Sequence, residues 1–92
     1  MYQIYFTSKM KRDMKRMKKR GKDMSMLTSV LKILASGQSM PKKYHDHELK
    51  GNMSDFRECH IESDWLLIYR IENNTLTLIA AETGTHADLL GL

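Results

Sequence analysis

The sequence has little cysteine and proline and no long apolar run. Its 92 residues include a single cysteine, Cys59, which excludes an internal disulfide and fits a reducing cytosol. No apolar stretch approaches the roughly 20 residues that a membrane-spanning helix needs. A short apolar start precedes a basic run, which reverses the order found in a secretory signal peptide. We therefore expect one soluble, cytoplasmic domain over residues 1–92.

Acidic residues are scarce early in the chain, and basic residues are scarce late in it. Between positions 9 and 22 the only acid is Asp13, among many lysines and arginines. From Tyr44 onward the only basic residues are Lys50, Arg57 and Arg70. Because the basic residues are concentrated in one short stripe, we favour the interpretation that the stripe binds a polyanion such as nucleic acid over the interpretation that it is only a solvated helix face. The stripe residues we select as candidate RNA contacts are Lys11, Lys15, Lys18 and Lys19.

The first third of the chain predicts a strand and two helices. Residues 2–6 are β-branched and aromatic, as in a strand. Ser8 is a candidate cap for a helix with an apolar stripe of Met10, Met14 and Met17, which Gly21 ends. A second helix begins at Asp23 or Ser25, buries one face and ends at Gly37. Its apolar residues are Leu27, Val30, Leu31 and Leu34.

The rest of the chain predicts a long loop and three strands. The loop covers residues 37–55, and a loop of this length in a small domain is usually functional. Strands follow over 56–61, 65–71 and 75–82, with Asn73 and Asn74 in a primed hairpin turn. The last ten residues suit one helical turn. The fold class is α+β in the order β-α-α-β-β-β, an antiparallel sheet with a helical hairpin on one face and the other face free for function.

The candidate site consists of a few polar side chains. In an antiparallel meander the end of one strand lies beside the start of the next, so we expect His60 and Asp64 to be neighbours. His86 follows the last strand and should reach the same sheet edge, whereas His47 reaches it only if the loop folds back. His45 is expected to be an ordinary surface residue. Cys59 alternates with His60 and should point into the core.

Two chemistries suit three imidazoles and a carboxylate. Zinc accepts three histidines, or two histidines and a carboxylate, but the spacing here is loose for a metal site. Acid–base cleavage of RNA by its own 2′-hydroxyl needs a base, an acid and a cation near the phosphate, and it needs no metal. Trp65 is expected to be core or a wall of the site, although a partly exposed indole would also stack on a base.

Three segments, "DHELKG", "FRECHIESDWLLIYRI" and "TGTHADLLG", together resemble the YafQ branch of the RelE superfamily. The resemblance covers almost the whole chain and implies the toxin of a type II toxin–antitoxin pair. Such a toxin cuts mRNA in the ribosomal A site without a cofactor, and an antitoxin of the DinJ or RelB type neutralises it. The basic helices would then bind ribosomal RNA. Operator DNA would be reached only through the antitoxin, and no membrane is involved.

The resemblance also suggests roles for the polar residues. The family's functional positions fall on His47, His60, Asp64, Trp65 and His86. We expect His86 to be the general acid and His47 to bind the phosphate. Asp64 and His60 should together provide the general base, one abstracting the proton and the other orienting it.

Two positions depart from the family pattern. Glu82 stands where the family usually has an arginine before the "TGTH" segment, and Leu90 stands where an aromatic residue is common. Either Lys50 or Arg57 supplies the missing cation, or the chain is a weakened or inactive form. The alternative function is therefore a non-catalytic module that binds an antitoxin and acts as a co-repressor.

Overall fold

The computed structural model describes residues 1–90 and has the expected α+β architecture. Its elements follow one another as β1 (Gln3–Phe6), α1 (Ser8–Lys19), α2 (Met24–Ala35), β2 (His47–Glu48), β3 (Arg57–Glu62), β4 (Trp65–Glu72), β5 (Thr77–Gly84) and α3 (His86–Leu90). The predicted order is confirmed, with two additions. The long loop contains the two-residue strand β2, and the expected helical turn at the end of the chain is α3.

Five strands form one sheet in the order β1-β5-β4-β3-β2. The pairs β2–β3, β3–β4 and β4–β5 are antiparallel, as expected. The edge strand β1 instead pairs in parallel with β5, from Gln3 opposite Thr77 to Phe6 opposite Ala80. The sheet is therefore mixed. The helical hairpin carries the chain away from β1, so the strand that finally pairs with β1 is β5, the last one in the sequence.

The turn between β4 and β5 is longer than predicted. Asn73–Thr75 forms a 3-10 turn, and Leu76 adopts a left-handed backbone with φ of 49°. The prediction of a two-residue primed turn at Asn73 and Asn74 is therefore wrong, and β5 begins two residues later than expected. Because a left-handed residue must follow the 3-10 turn, Leu76 bears a conformation that β-branched and large side chains rarely adopt.

Both helices have side-chain caps at their first turns. The Thr7 hydroxyl accepts from the Met10 backbone N–H at 3.0 Å, so Thr7 and not Ser8 caps α1. Asp23 caps α2 by accepting from the backbone N–H of Ser25 at 3.0 Å, which agrees with the prediction. Gly21, with φ of 85°, allows the tight link between the two helices.

The core lies between the helical hairpin and one face of the sheet. Met10 and Met17 are fully buried, and the predicted apolar face of α2 is buried as well. From β4, Leu67 and Tyr69 pack into the same cluster. Burial of these apolar side chains supplies the main stabilisation of the fold. Within residues 1–90, no helix has the length and apolar character that crossing a membrane requires.

Trp65 belongs to the core. Its side chain is 0% exposed, and its Nε1–H donates to Thr83 Oγ1 at 2.9 Å. The neighbouring Asp13, the one acid of the basic stripe, is also buried and accepts from the Thr83 backbone N–H at 3.2 Å. The expected core position of Trp65 is therefore confirmed, and the alternative of stacking on an RNA base is wrong, because a fully buried indole has no face to offer a base. It supports the sheet from beneath.

The Trp65→Phe variant should lower the free energy of unfolding by on the order of 2 kcal/mol, because it loses indole volume and the bond to Thr83. Urea denaturation measures this loss. The control is Tyr5→Phe, since Tyr5 is 58% exposed and should change stability by less than about 0.5 kcal/mol. An unchanged free energy of unfolding in Trp65→Phe would contradict a core role for this side chain.

Candidate functional site

Four histidine rings meet on the sheet face opposite the helical hairpin. His60 lies at the centre, with its ring centroid 5.5 Å from that of His45, 6.4 Å from His47 and 5.7 Å from His86. The predicted convergence of His47, His60 and His86 is confirmed, although their chemical roles remain predictions. A cleft of about 500 Å³ opens beside His60, and His45, Lys43, Glu62 and Ser63 also line it.

The strand register explains this convergence. β2 folds back onto β3 and places His47 opposite Glu58, so the condition for including His47 is met. His60 is opposite Leu66, and Leu66 is opposite Gly84 at the end of β5. Since α3 begins two residues after Gly84, His86 reaches the same edge of the sheet as His60.

His45 was expected to be an unremarkable surface residue, and the structure adds it to the cluster. Its backbone is left-handed, with φ of 49°, and its carbonyl oxygen lies 2.7 Å from Nδ1 of His47. The sequence signal was the closeness of His45 to His47, although the left-handed backbone that brings both rings to His60 could not be predicted from that spacing.

Asp64 binds His86 and not His60. Its Oδ1 accepts the His86 backbone N–H at 2.9 Å and lies 2.6 Å from Nδ1 of the same residue. These bonds, that from the backbone N–H foremost, lower the pKa of Asp64. The predicted pairing of Asp64 with His60 is therefore wrong. Asp64 lies in the turn beyond the strand ends, where the chain leaving β5 passes closer to it than the side chain of His60.

Glu58 is the carboxylate that accompanies His60, and sequence reasoning missed it. It is 6% exposed, and its Oε1 lies 3.4 Å from Nε2 of His47 and 3.9 Å from Nε2 of His60. Burial lowers the pKa of His60, while the charge of Glu58 opposes that shift. The available signal was again alternation, since Glu58 lies two residues before His60 on the same strand.

Arg57 faces the opposite side of the sheet. Its Nε and Nη2 donate to Oδ2 of Asp46 at 3.2 and 3.0 Å. Because successive strand residues point to opposite faces, Arg57 shares its side with the buried Cys59. The predictions that Arg57 contacts RNA at the site or replaces the missing cation are therefore wrong. The core position expected for Cys59 is confirmed, and burial raises the pKa of its thiol to about 12.

Glu82 lies on the histidine face because of a β-bulge. Tyr69 is opposite Ala80, but Ile68 is opposite Glu82, so Ala81 is the extra residue. Simple alternation along β5 would have pointed Glu82 into the core, and the bulge turns it to the opposite face. Ile68 also pairs with Glu58, and two strand spacings therefore separate the Glu58 and Glu82 backbones by about 10 Å.

Two lysines lie near Glu82. Nζ of Lys9 is 3.3 Å from Oε1 of Glu82 and also binds Asp13 at 2.9 Å. Lys50 lines a depression of about 320 Å³ together with Glu82 and the apolar residues Leu49, Met53, Ile68 and Leu89. With Arg57 excluded, Lys50 is the remaining candidate of the two proposed cations. The sheet face that was expected to be free is thus partly covered by the segment after β2 and by α3.

The basic stripe lies on the other layer of the molecule. Its four selected lysines are exposed on α1, whose buried methionines pack against the core face of the sheet. Three of them line a groove of about 470 Å³ with Met14 and Met24, namely Lys11, Lys15 and Lys18. The stripe therefore does not adjoin the histidines, so a polyanion that touches both must extend around the domain.

In residues 1–90, no group of three or more His, Cys, Asp and Glu side chains is arranged to hold a metal ion. The histidines are near one another, but their ring separations are those of packed aromatic groups.

Comparison with known proteins decides the family. The family model described as the bacterial toxin of type II toxin–antitoxin system, YafQ, matches residues 2–91. This chain belongs to the YafQ family. The mRNA interferase toxin YafQ of Escherichia coli K12 is 36% identical over 89 residues, which cover 96% of this chain and 95% of the relative.

Solved structures of YafQ-type toxins share the fold. The crystal structure of the E. coli DinJ–YafQ complex matches with a TM-score of 0.90 and 34% identity, covering 99% of this chain and 100% of that chain. A metal-bound toxin from Helicobacter pylori matches with a TM-score of 0.91 and 40% identity, covering 97% of this chain and 99% of that chain. The YafQ resemblance carried by the three sequence segments is therefore confirmed. The side chain of Leu90 lies outside the described residues.

Proposed function

We propose that this chain is a ribosome-dependent endoribonuclease toxin that cuts mRNA in the ribosomal A site. The observation that carries the proposal is the Asp64–His86 pair placed beside His60. In this arrangement His86 lies 2.6 Å from its carboxylate, whereas His60 is partly desolvated and lies 3.9 Å from the nearest oxygen of Glu58. Two histidines in unequal environments are suited to opposite proton-transfer roles. The name of the E. coli relative, an mRNA interferase toxin, supports the same activity.

The reaction is an attack of the ribose 2′-hydroxyl on the adjacent phosphorus. His60 accepts the 2′-proton, because its lowered pKa keeps the ring neutral near pH 7. His86, protonated and held at Nδ1 by Asp64, donates a proton from Nε2 to the departing 5′-oxygen. One P–O bond forms and one breaks, leaving a 2′,3′-cyclic phosphate and a 5′-hydroxyl. Asp64 thereby becomes the partner of the acid, in place of its expected role beside the base.

Charge on the phosphate is balanced by groups at the edge of the site. His47 lies beside Glu58 and binds a phosphate oxygen when its ring is protonated. Lys50 approaches from the depression that it shares with Glu82. The acid, the base and the orienting carboxylate are all side chains of this chain, and on that basis we propose that cleavage needs no metal.

The basic stripe supports the ribosome as the larger partner. The exposed lysines of α1 lie on the layer opposite the histidines, where they suit ribosomal RNA phosphates better than the cut strand. Ribosomes place this activity in the cytoplasm. An antitoxin of the DinJ or RelB type is the proposed inhibitor, as the DinJ–YafQ complex of the E. coli relative suggests.

A second candidate is favoured by Glu82. An anion on the cleavage face repels a phosphodiester and occupies a position where the family usually has an arginine. In that case the chain would be a weakened or inactive toxin that binds antitoxin and serves as a co-repressor. The metal-bound relative from H. pylori adds a third possibility, a metal-holding site, which analysis of metal content tests directly.

The deciding experiment incubates the purified chain with programmed ribosomes and, separately, with the same mRNA free in solution. Both reactions contain EDTA, with Mg²⁺ in excess over the EDTA because ribosomes need it. We expect a cut within the A-site codon on ribosomes, little cutting of free mRNA, and less than one bound transition metal per chain. Cutting that disappears on treating the chain with a zinc-selective chelator would contradict metal-free chemistry. Antitoxin binding without any cutting would support the co-repressor.

A further inference from the structure

Asp46 separates the two histidines of the folded-back loop and points away from them. Its carboxylate lies on the helix side of the sheet, whereas His45 and His47 face His60. We propose that Asp46 is a positioning residue that aligns the histidine cluster by tying this loop to two strands through Arg57 and Tyr69. The inference rests on the proposed ribonuclease activity for its kinetic consequences but not for its structural ones.

Asp46 uses both carboxylate oxygens in these bonds. Oδ2 accepts from Nε and Nη2 of Arg57, and Oδ1 accepts from the Tyr69 hydroxyl. Arg57 on β3 and Tyr69 on β4 are directly opposite each other in the register. One carboxylate is therefore fixed against two neighbouring strands at one row of the sheet. Two guanidinium N–H groups converge on one oxygen and the Tyr69 hydroxyl binds the other, so the direction of the carboxylate is set as well as its distance.

This attachment is the main side-chain tie of the loop, because the other two polar side-chain contacts to the sheet are longer, 3.4 Å between His47 and Glu58 and 3.5 Å between Glu48 and Arg57. Among the described residues, each side-chain hydrogen bond from segment 38–50 to the sheet ends on Asp46. The remaining hydrogen bonds are made by the backbone: β2 pairs with β3, and the Leu49 N–H donates to the carbonyl of Phe56 just before β3. Two paired residues form a weak ladder by themselves, so the side-chain tie determines how closely the loop is held.

The histidines inherit this constraint through the backbone. His45 is in the left-handed region, and its carbonyl oxygen contacts Nδ1 of His47. A shift of Asp46 therefore moves both imidazoles relative to His60. His86 is independent of this tie, because Asp64 holds it from the turn between β3 and β4.

The proposal is tested with Asp46→Asn and Tyr69→Phe, the second of which removes one hydroxyl and preserves the shape of the ring. Imidazole NMR signals of His45 and His47 should shift in both variants, and those of His86 should stay in place. Single-turnover cleavage on ribosomes should slow about 10- to 100-fold with KM changed less than about threefold, because misplacement of groups near the reaction affects the chemical step. The matched control is Asp55→Asn, an exposed acid at the end of the long loop 37–55, which should behave like the parent chain.

The two readouts separate the possible failures. If the parent chain cuts no RNA, the NMR shifts still test the placement of the histidines while the proposed function fails alone. If Asp46→Asn is unfolded in urea titrations, Tyr69→Phe carries the test. Folded variants with unchanged imidazole signals would overturn the inference. So would shifts of all four histidines together, since these would indicate general loosening of the fold.

Discussion

Replacing His86 with glutamine should slow mRNA cleavage on ribosomes by about 10²- to 10⁴-fold. Glutamine keeps a polar side chain of similar reach but has no proton to give near neutral pH. The leaving 5′-oxygen would then depart as an unprotonated alkoxide. The measurement is a single-turnover rate at saturating toxin, which reports the chemical step and excludes product release.

The companion variants distinguish acid catalysis from structural damage. Asp64→Asn should reduce the rate less than His86→Gln, because it leaves the imidazole present but poorly oriented. The double variant should be no slower than His86→Gln alone, since both changes remove one function. Full activity of His86→Gln would place the acid elsewhere, and His47 would be the next residue to test.

Replacing Glu82 with arginine should raise the cleavage rate by about 10- to 100-fold. The β-bulge at Ala81 points residue 82 toward the histidine face, so the change removes an anion and supplies a cation where negative charge develops. Loss of a single stabilising group of this kind typically costs about 10²- to 10³-fold, so its restoration should recover much of that factor. Lys9 loses one partner but keeps Asp13 at 2.9 Å, so the fold should persist.

Two controls give this result its meaning. Glu82→Gln should give an intermediate rate, because it removes repulsion without adding attraction. Asp55→Arg changes net charge by the same amount at an exposed position away from the cluster, and it should leave the single-turnover rate nearly unchanged. A slower Glu82→Arg variant would mean that Glu82 takes part in the reaction, and an equal rate would mean that Lys50 already supplies the cation.

Much of the site followed from strand order, and the errors came from side-chain direction. The meander alone brings His60 and His86 to one edge, although 26 positions separate them in the sequence. The partner predicted for Asp64 was wrong because the true partner depends on the path of the turn, which a strand pattern does not specify. The role predicted for Arg57 as a cation at the site was wrong for a simpler reason. The alternation that placed Cys59 on the core face of β3 places Arg57 on that face as well.

The fold shows the same division between pattern and geometry. Helical spacing identified the buried faces of both helices, because burial needs only periodicity. The parallel pairing of β1 with β5 depends on contacts between the two ends of the chain. The bulge at Ala81 is invisible to alternation, and it alone decides which face Glu82 occupies. Glu58 was overlooked because a single glutamate on a strand is usually a solvated residue, and here it is buried beneath two histidines.

The central claim is that His60 and His86 direct an RNA 2′-hydroxyl against its own phosphodiester. The most direct measurement is the chemical identity of the new ends after cutting on programmed ribosomes. The proposed reaction predicts a 2′,3′-cyclic phosphate on the upstream fragment and a 5′-hydroxyl on the downstream fragment. A free 3′-hydroxyl upstream, with the phosphate on the downstream fragment, would show attack by water from outside the RNA and would contradict the proposed mechanism.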